Sequence, residues 1–333
     1  CTPAPLHPCY LNIMKYVIIL ADGMADRPME RLEGKTPLMA ARTPHIDALC
    51  SKARTGQLLT VPADMPPSSD VANLGVLGYD VHQVYEGRGV LEAASMGIAI
   101  GPDEMAMRCN LICLEHGRIK NHSAGHISSE EARQLIETLN QELGSGRIRF
   151  YPGVSYRHLL VMKNGVKALA CTPPHDVPGT PFNEVLIHPH TEEARPTADL
   201  LNALIVQSQE ILHDHPVNQQ RINAGKDPGN SIWPWSPGYK PDMPLFQEIY
   251  GIASGAVISA VDLIQGLGVY AGFEVFTVEG ATGLYDTNYE GKAQAVIKAL
   301  DSVDFVYLHI EASDEAGHEG DERLKIRTIE SLD

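Results

Sequence analysis

Residues 15–21 read KYVIILA, an uninterrupted apolar run closed by Asp22-Gly23. Without polar alternation, such a run fits a strand covered on both faces, as in a parallel sheet flanked by helices. It also sets a carboxylate at the strand's C-terminal edge, where ligands sit in open α/β sheets. The C-terminal third repeats the theme. Strand signals at Ala256–Ser259, Glu274–Val278 and Phe305–Ile310 alternate with helix signals near Val261–Leu267 and at Lys292–Leu300. That rhythm predicts a mainly parallel sheet with crossover helices, an α/β fold. Between Asp22 and Ser69, Thr43-Pro44 opens a helix with proline in its first turn, and Gly56–Val61 reads as a second strand.

The middle of the chain has another texture. Met105–Leu114 and Gly117–Asn121 pair as a hairpin, and Ser128-x-x-Glu131 is a capping box for an amphipathic helix over Glu130–Leu143. Phe150–Met162 and Ala168–Thr172 read as further strands. This predicts a small inserted α+β cap domain at 106–182, with a core formed from 14–105 and 183–333. Two domains suit a chain of 333 residues. Glu193–His213 is a long helix, and Asn230–Gly238 (NSIWPWSPG) is a connection rich in tryptophan and proline. Residues 1–13 lack the basic start and apolar stretch of a signal peptide, so they read as a non-native or disordered leader before a natural start at Met14. Helical sequence runs uncapped into Leu332-Asp333, as expected of a fragment.

A formal net charge of −16 argues against a nucleic-acid surface. No apolar run approaches the roughly 18–20 residues of a membrane span. Six cysteines without a C-x-x-C pair read as buried thiols, which predicts a reducing, cytoplasmic setting. An anionic small molecule remains open to so acidic a chain only if local cations receive it, and divalent metals are the strongest of these.

Asp22 follows one apolar strand, and His309, Glu311 and Asp314 follow another. Asp314 and His318 are four apart, so on a helical turn they face one way and can ligate one ion; oxygen with imidazole suits Zn or Mn. Locally the pair reads equally as a capping aspartate and an exposed histidine. Residues 311–321 hold five carboxylates and one histidine in eleven positions, a density of like charge that a cation relieves. Ser69, in Pro66-Pro67-Ser68-Ser69-Asp70, precedes a helical stretch over Val71–Leu77. On local pattern it reads as an N-cap serine. Held by a metal at a helix N-terminus, it would instead be an activated nucleophile toward phosphorus. A shared sheet edge would bring Asp22, Ser69 and Asp314 together.

Taken in order, VIILADGMADRP, PPSSDVANLGVLGYD, YEGRGVLEAASMGI, GAVISAVDLIQGLG, VEGATGLYDTNYEGKA and HIEASDEAGHEGD resemble the archaeal-type cofactor-independent phosphoglycerate mutases of the alkaline phosphatase superfamily. The resemblance runs from Met14 to Asp333. It implies an alkaline-phosphatase-like core with an inserted cap, and two divalent metals, Mn or Zn, with Mg also admissible. It implies that Asp22 ligates one metal, that Ser69 is the nucleophile and touches the same metal, and that Asp314 and His318 ligate the other. The substrate would be a small phosphorylated molecule. The family supplies a further Asp-His pair and a histidine from a stretch beyond the equivalent of Asp333, which makes an inactive metal-binding fragment one alternative. Another is phosphotransfer to a different small alcohol, as by a homoserine kinase, since these motifs report phosphoserine chemistry rather than the acceptor. Among cap residues, Arg108, His126, Arg157, His175 and Asp176 are candidates for substrate contact. Arg157 is suited to grip a carboxylate or phosphate bidentately, and Lys240 in GYKPDMP is a further phosphate candidate. Trp233 and Trp235 read as packing residues. Oligomeric state is not legible.

Overall fold

A computed structural model describes residues 14–333, so the expected leader at 1–13 lies outside the described residues. Numbered along the chain, the strands are β1 (Tyr16–Ala21), β2 (Glu104–Glu115), β3 (Arg118–Asn121), β4 (Ile148–Tyr151), β5 (Arg157–Lys163), β6 (Leu169–Ala170), β7 (His188–Pro189), β8 (Ser231–Tyr239), β9 (Gly255–Ile258), β10 (Glu274–Val275) and β11 (Phe305–Ile310). The described residues divide into two compact units, one formed by 14–59 with 244–333 and the other by 60–243.

The first unit is built on a parallel sheet of order β1-β11-β9-β10. Side chains alternate between its faces. On one face Val306, Leu308 and Ile310 of β11 and Ala256 and Ile258 of β9 form a core with Val296 and Ala299 of the helix Tyr289–Ala299. On the other, Phe305 stacks with Phe246 and Phe273, and the helix Asp262–Tyr270 lies so close that a Cβ on Gly268 would come within 2.4 Å of Val257. Helices on both faces follow from strands apolar on both sides, which is why β11 is buried throughout. β1 is parallel as expected but not buried. Among the described residues it has one sheet neighbour, and Ile19 is 60% exposed. The expected strand at Gly56–Val61 is irregular, with Leu58 and Leu59 exposed and no ladder partner among the described residues. An apolar run needs a neighbour to become a strand.

In the second unit β2 is the spine of an antiparallel sheet. β5 pairs with its first half and β3 with its end, β4 extends β5, and β8 runs along its other side. β6 and β7 form a separate two-stranded sheet. The helix Ser129–Glu142 carries the expected capping box, and with the helix Arg195–His213 it contributes Leu135, Leu139, Leu201 and Ile205 to one apolar core with Trp233. Asn230–Gly238 is thus a strand rather than a connection. Prolines fit there because, among the described residues, β8 pairs with β2 alone and so is an edge strand, in which not every backbone N–H is needed for a ladder. The module expected at 106–182 lies within this unit, whose sheet takes in β8 and whose bounds run to Met243.

Candidate functional site

In the first unit, β1 and β11 run in register from Tyr16↔Phe305 to Ala21↔Ile310, so their C-terminal ends deliver Asp22 and Glu311 side by side. The Asp22 N–H donates to the Ile310 carbonyl (2.9 Å), which continues the ladder by one residue. His309 is fully buried between the two carboxylates. Its Nε2 lies 3.2 Å from Asp22 Oδ2, in a hydrogen bond, and 3.0 Å from Glu311 Oε2. The second approach is a charge contact without hydrogen-bond alignment, because Glu311 Oε2 is buried with no hydrogen-bond partner. Burial opposes the imidazolium, but Asp22 and Glu311 outweigh it and hold the His309 pKa above its ordinary value. One ligand atom from each of Asp22, His309 and Glu311 lies within 4.8 Å of the others, a mixed oxygen and nitrogen set of the kind a divalent cation accepts.

The helix Ala312–His318 begins immediately after Glu311. Its first turn holds Asp314, and His318 Nε2 sits 3.2 Å from Asp314 Oδ2, so the four-residue spacing places both on one face as expected. Gly23 brings the helix against the end of β1: at φ +65° it packs so tightly that a Cβ would stand 2.2 Å from Asp314 Cα. Burial, then Glu311, and also Asp22, raise the Asp314 pKa, while His318 opposes them. Glu315 is raised for the same first two reasons. Carboxylates held above their usual range by burial and then by one another mark a field that favours positive charge. Lys292, buried and donating to the His309 carbonyl (3.3 Å), has its pKa pushed down to about 8 by burial, with Glu311 opposing. The orphaned Glu311 oxygen and the oxygen-imidazole donors fit a divalent metal.

Ser69 belongs to the second unit, as the first residue of the helix Ser69–Val76. Ser68 occupies the N-cap position, without a side-chain capping bond, so the N-cap reading of Ser69 does not hold. The next residue, Asp70, is fully buried, accepts from the Tyr85 hydroxyl (2.8 Å) and lies 3.4 Å from Arg88 Nε.

The same unit gathers a cationic and aromatic cluster. The Arg108 guanidinium lies 4.7 Å from the Trp235 ring centre, and its Nε is 3.0 Å from Glu92. His175 meets the Trp235 ring edge-on at 5.5 Å and His122 at 5.9 Å. His122 and His126 both face Tyr156, at 5.5 and 6.5 Å, and Arg157 lies over Tyr156 at 5.9 Å. Burial pushes the His122 and His175 pKa values down, and the neighbouring cations push the same way: His175, His126 and Arg108 on His122, and Arg108 and Arg88 on His175, where Asp176 opposes. Arg157 Nε is buried without a hydrogen-bond partner. Mutually repelling cations with an unused donor suit an anion.

Of the residues singled out in the sequence, Asp22 and the Asp314–His318 pair lie on adjoining elements of the first unit, and Arg108, His126, Arg157 and His175 lie in the second. Lys240, one residue past β8, is exposed and outside that cluster. Trp235 does more than pack: it carries Arg108 and donates to Asn110 Oδ1 (3.0 Å), whereas Trp233 packs and donates to the Thr172 carbonyl (2.8 Å). The sequence showed His309 and Glu311 as strand-end polar residues but gave no sign that they close on Asp22. His122 and Arg88 carried no local signal, since what selects them is a neighbour distant in the chain.

A sequence profile described as 2,3-bisphosphoglycerate-independent phosphoglycerate mutase matches residues 50–218. The chain is 52% identical over 321 residues to the 2,3-bisphosphoglycerate-independent phosphoglycerate mutase of Methanosarcina acetivorans, covering 96% of this chain and 79% of that protein. It is 48% identical to 2,3-bisphosphoglycerate-independent phosphoglycerate mutase 2 of Methanothermobacter thermautotrophicus, covering 96% and 78%. Among solved structures it is similar to the PH0037 protein of Pyrococcus horikoshii (TM-score 0.77, 30% identity, covering 96% of this chain and 76% of that one). It is also similar to the cofactor-independent phosphoglycerate mutase of Thermoplasma acidophilum (TM-score 0.63, 30% identity, covering 96% and 81%).

Proposed function

The chain belongs to the family of 2,3-bisphosphoglycerate-independent phosphoglycerate mutases, and from that premise we propose that it interconverts 3- and 2-phosphoglycerate through a phosphoserine on Ser69. The observation that carries the reading is the close packing of the end of β1, which bears Asp22, against the first turn of the helix that bears the Asp314–His318 pair, which gathers oxygen and imidazole donors of the kind divalent cations accept. In this reading two divalent metals, Mn or Zn with Mg admissible, would be held, one by Asp22 with Ser69 and the other by Asp314 with His318. Bound there, metal would supply positive charge to the transferring phosphoryl group and lower the pKa of a ligating hydroxyl. The same reading takes the parallel-sheet unit as an alkaline-phosphatase-like core and the 106–182 module as its inserted cap.

In the forward direction the bond from Ser69 Oγ to phosphorus forms as the bond from phosphorus to the 3-oxygen breaks, and the proton leaving Ser69 ends on that oxygen. Reattack by the 2-oxygen reverses the exchange and restores the serine. Arg157, with its unused Nε, and His126 are assigned to the anionic groups of glycerate, together with Arg108, His122 and His175. Lys240 is retained as a peripheral phosphate contact. Among the described residues no helix is long and apolar enough to cross a membrane, and a cytoplasmic location agrees with this reading.

The test is equilibration of 3- and 2-phosphoglycerate with Mn²⁺ added and 2,3-bisphosphoglycerate withheld, with homoserine and a nucleoside triphosphate as the competing assay. Ser69→Ala is expected to abolish the mutase reaction. Normal turnover in that variant refutes the phosphoserine, and turnover of homoserine alone refutes the substrate.

A further inference from the structure

His309 is not among the residues the proposed mechanism uses, yet it is the most fully enclosed polar group at the strand ends. It is held from both sides. Nδ1 lies 3.2 Å from Ser259 Oγ, which also accepts the Val261 N–H at 3.0 Å, leaving the serine's own proton free to point at the ring. With the Ser259 hydroxyl donating to Nδ1, the Nε2 proton is directed at Asp22 Oδ2. Glu311 Oε2, although 3.0 Å away, stays without a hydrogen bond. The ring is fully buried on β11, whose residue 309 pairs with Leu20 of β1, and Lys292 donates to the His309 main-chain carbonyl. Asp22 is otherwise tied by Oδ1 to the Gly23 N–H (2.9 Å) and by its carbonyl to the Ser313 hydroxyl (2.5 Å).

We propose that His309, its ring fixed by Ser259, is the positioning residue for Asp22, holding one oxygen of that carboxylate so that the group points in a single direction for metal. A flexible carboxylate must lose rotamer freedom on ligating, and a rigid donor behind it removes that cost beforehand. The inference rests on the reading of Asp22 as a metal ligand.

The experiment measures Mn²⁺ affinity by titration calorimetry on the full chain, wild type against His309→Leu, His309→Gln and Ser259→Ala, with the thermal midpoint of each metal-free protein recorded alongside. His309→Leu is expected to weaken Mn²⁺ binding roughly 10–100-fold, the range typical of lost outer-shell partners. His309→Gln, whose side-chain amide can still donate to Asp22, is expected to recover part of the loss, and Ser259→Ala to fall between it and wild type. In an Asp22→Asn background the His309→Leu substitution should have no further effect, because the two act as one unit. Unchanged affinity in a folded His309→Leu protein overturns the inference. If that variant fails to fold, unchanged affinity in both His309→Gln and Ser259→Ala does so. An equal loss on top of Asp22→Asn also overturns it, because His309 would then act independently. A wild-type chain with no Mn²⁺ affinity overturns the metal reading itself, an outcome distinct from wild-type binding that the variants leave intact.

Discussion

Replacing Gly23 by alanine tests whether the end of β1 and the Asp314 helix are locked together through one missing methyl group. Two costs arise. At φ +65° a non-glycine residue sits in the left-handed region, at roughly 1–2 kcal/mol. The new Cβ would also lie 2.2 Å from Asp314 Cα and 2.6 Å from its N, against the roughly 3.5–4 Å at which carbon atoms rest. Backbone must therefore move by more than about 1 Å, an overpacking cost of about 1–3 kcal/mol. The sum, about 2–5 kcal/mol, is a large part of the ~5–15 kcal/mol that holds an ordinary domain together. Gly34 supplies the control: its φ is +78° and a Cβ there meets nothing within 4 Å, so Gly34→Ala carries the backbone cost alone. Urea unfolding of both variants separates the two terms, and Mn²⁺ titration reports whether Asp22 and Asp314 have been driven apart. A Gly23→Ala protein no less stable than Gly34→Ala, with wild-type metal affinity, refutes the claim that this contact aligns the site.

Ser128→Ala should lower stability by about 1–2 kcal/mol, since the Ser128 hydroxyl accepts the Glu131 N–H (3.3 Å) while Glu131 accepts the Ser128 N–H (3.1 Å); an unchanged urea midpoint refutes the cap. His158 is buried with its Nε2 unpartnered, and burial lowers its pKa to about 3. Its neutral form therefore contributes stability that is intact above the ordinary histidine value and declines as pH falls toward the folded one, with a slope approaching about 1.4 kcal/mol per pH unit. His158→Asn, which keeps an acceptor for the Gly153 N–H, should flatten the pH 6 to 4 portion of a stability profile, measured at ~0.5-unit intervals. The Asp26 carboxyl is held below its usual range first by Lys325, whose Nζ lies 2.6 Å from Oδ2. That contribution is present above the unfolded carboxylate pKa and is lost as pH falls through the lowered folded value. Lys325→Met should remove it, so an acid limb identical to wild type would refute the pairing.

Much of the fold was legible because its signals are local. The apolar run before Asp22 and the one ending at Ile310 needed only their own residues to read as parallel strands. The Ser128–Glu131 box needed only the three-residue spacing of a helix start. Where local pattern misled, the missing information was the neighbour. Pro234 and Pro237 argued against a strand until β2 was found to pair with only one side of β8. Gly56–Val61 had strand composition and, among the described residues, no strand to join.

The candidate site divides along the same line. Asp314 and His318 share a helical turn, so their spacing alone brought them together. Asp22 and His309 stand 287 residues apart, and what sets Nε2 on Asp22 Oδ2 is the β1–β11 register, in which Leu20 pairs with His309 and Ala21 with Ile310. A shift of one residue would turn His309 to the opposite face of the sheet, against Val296 and Ala299. The sequence by itself thus determined which residue types stand at the strand ends and that their charges crowd. The tertiary structure alone decided which of them face one another, because register depends on pairing energies summed over the whole strand and is written in no single motif.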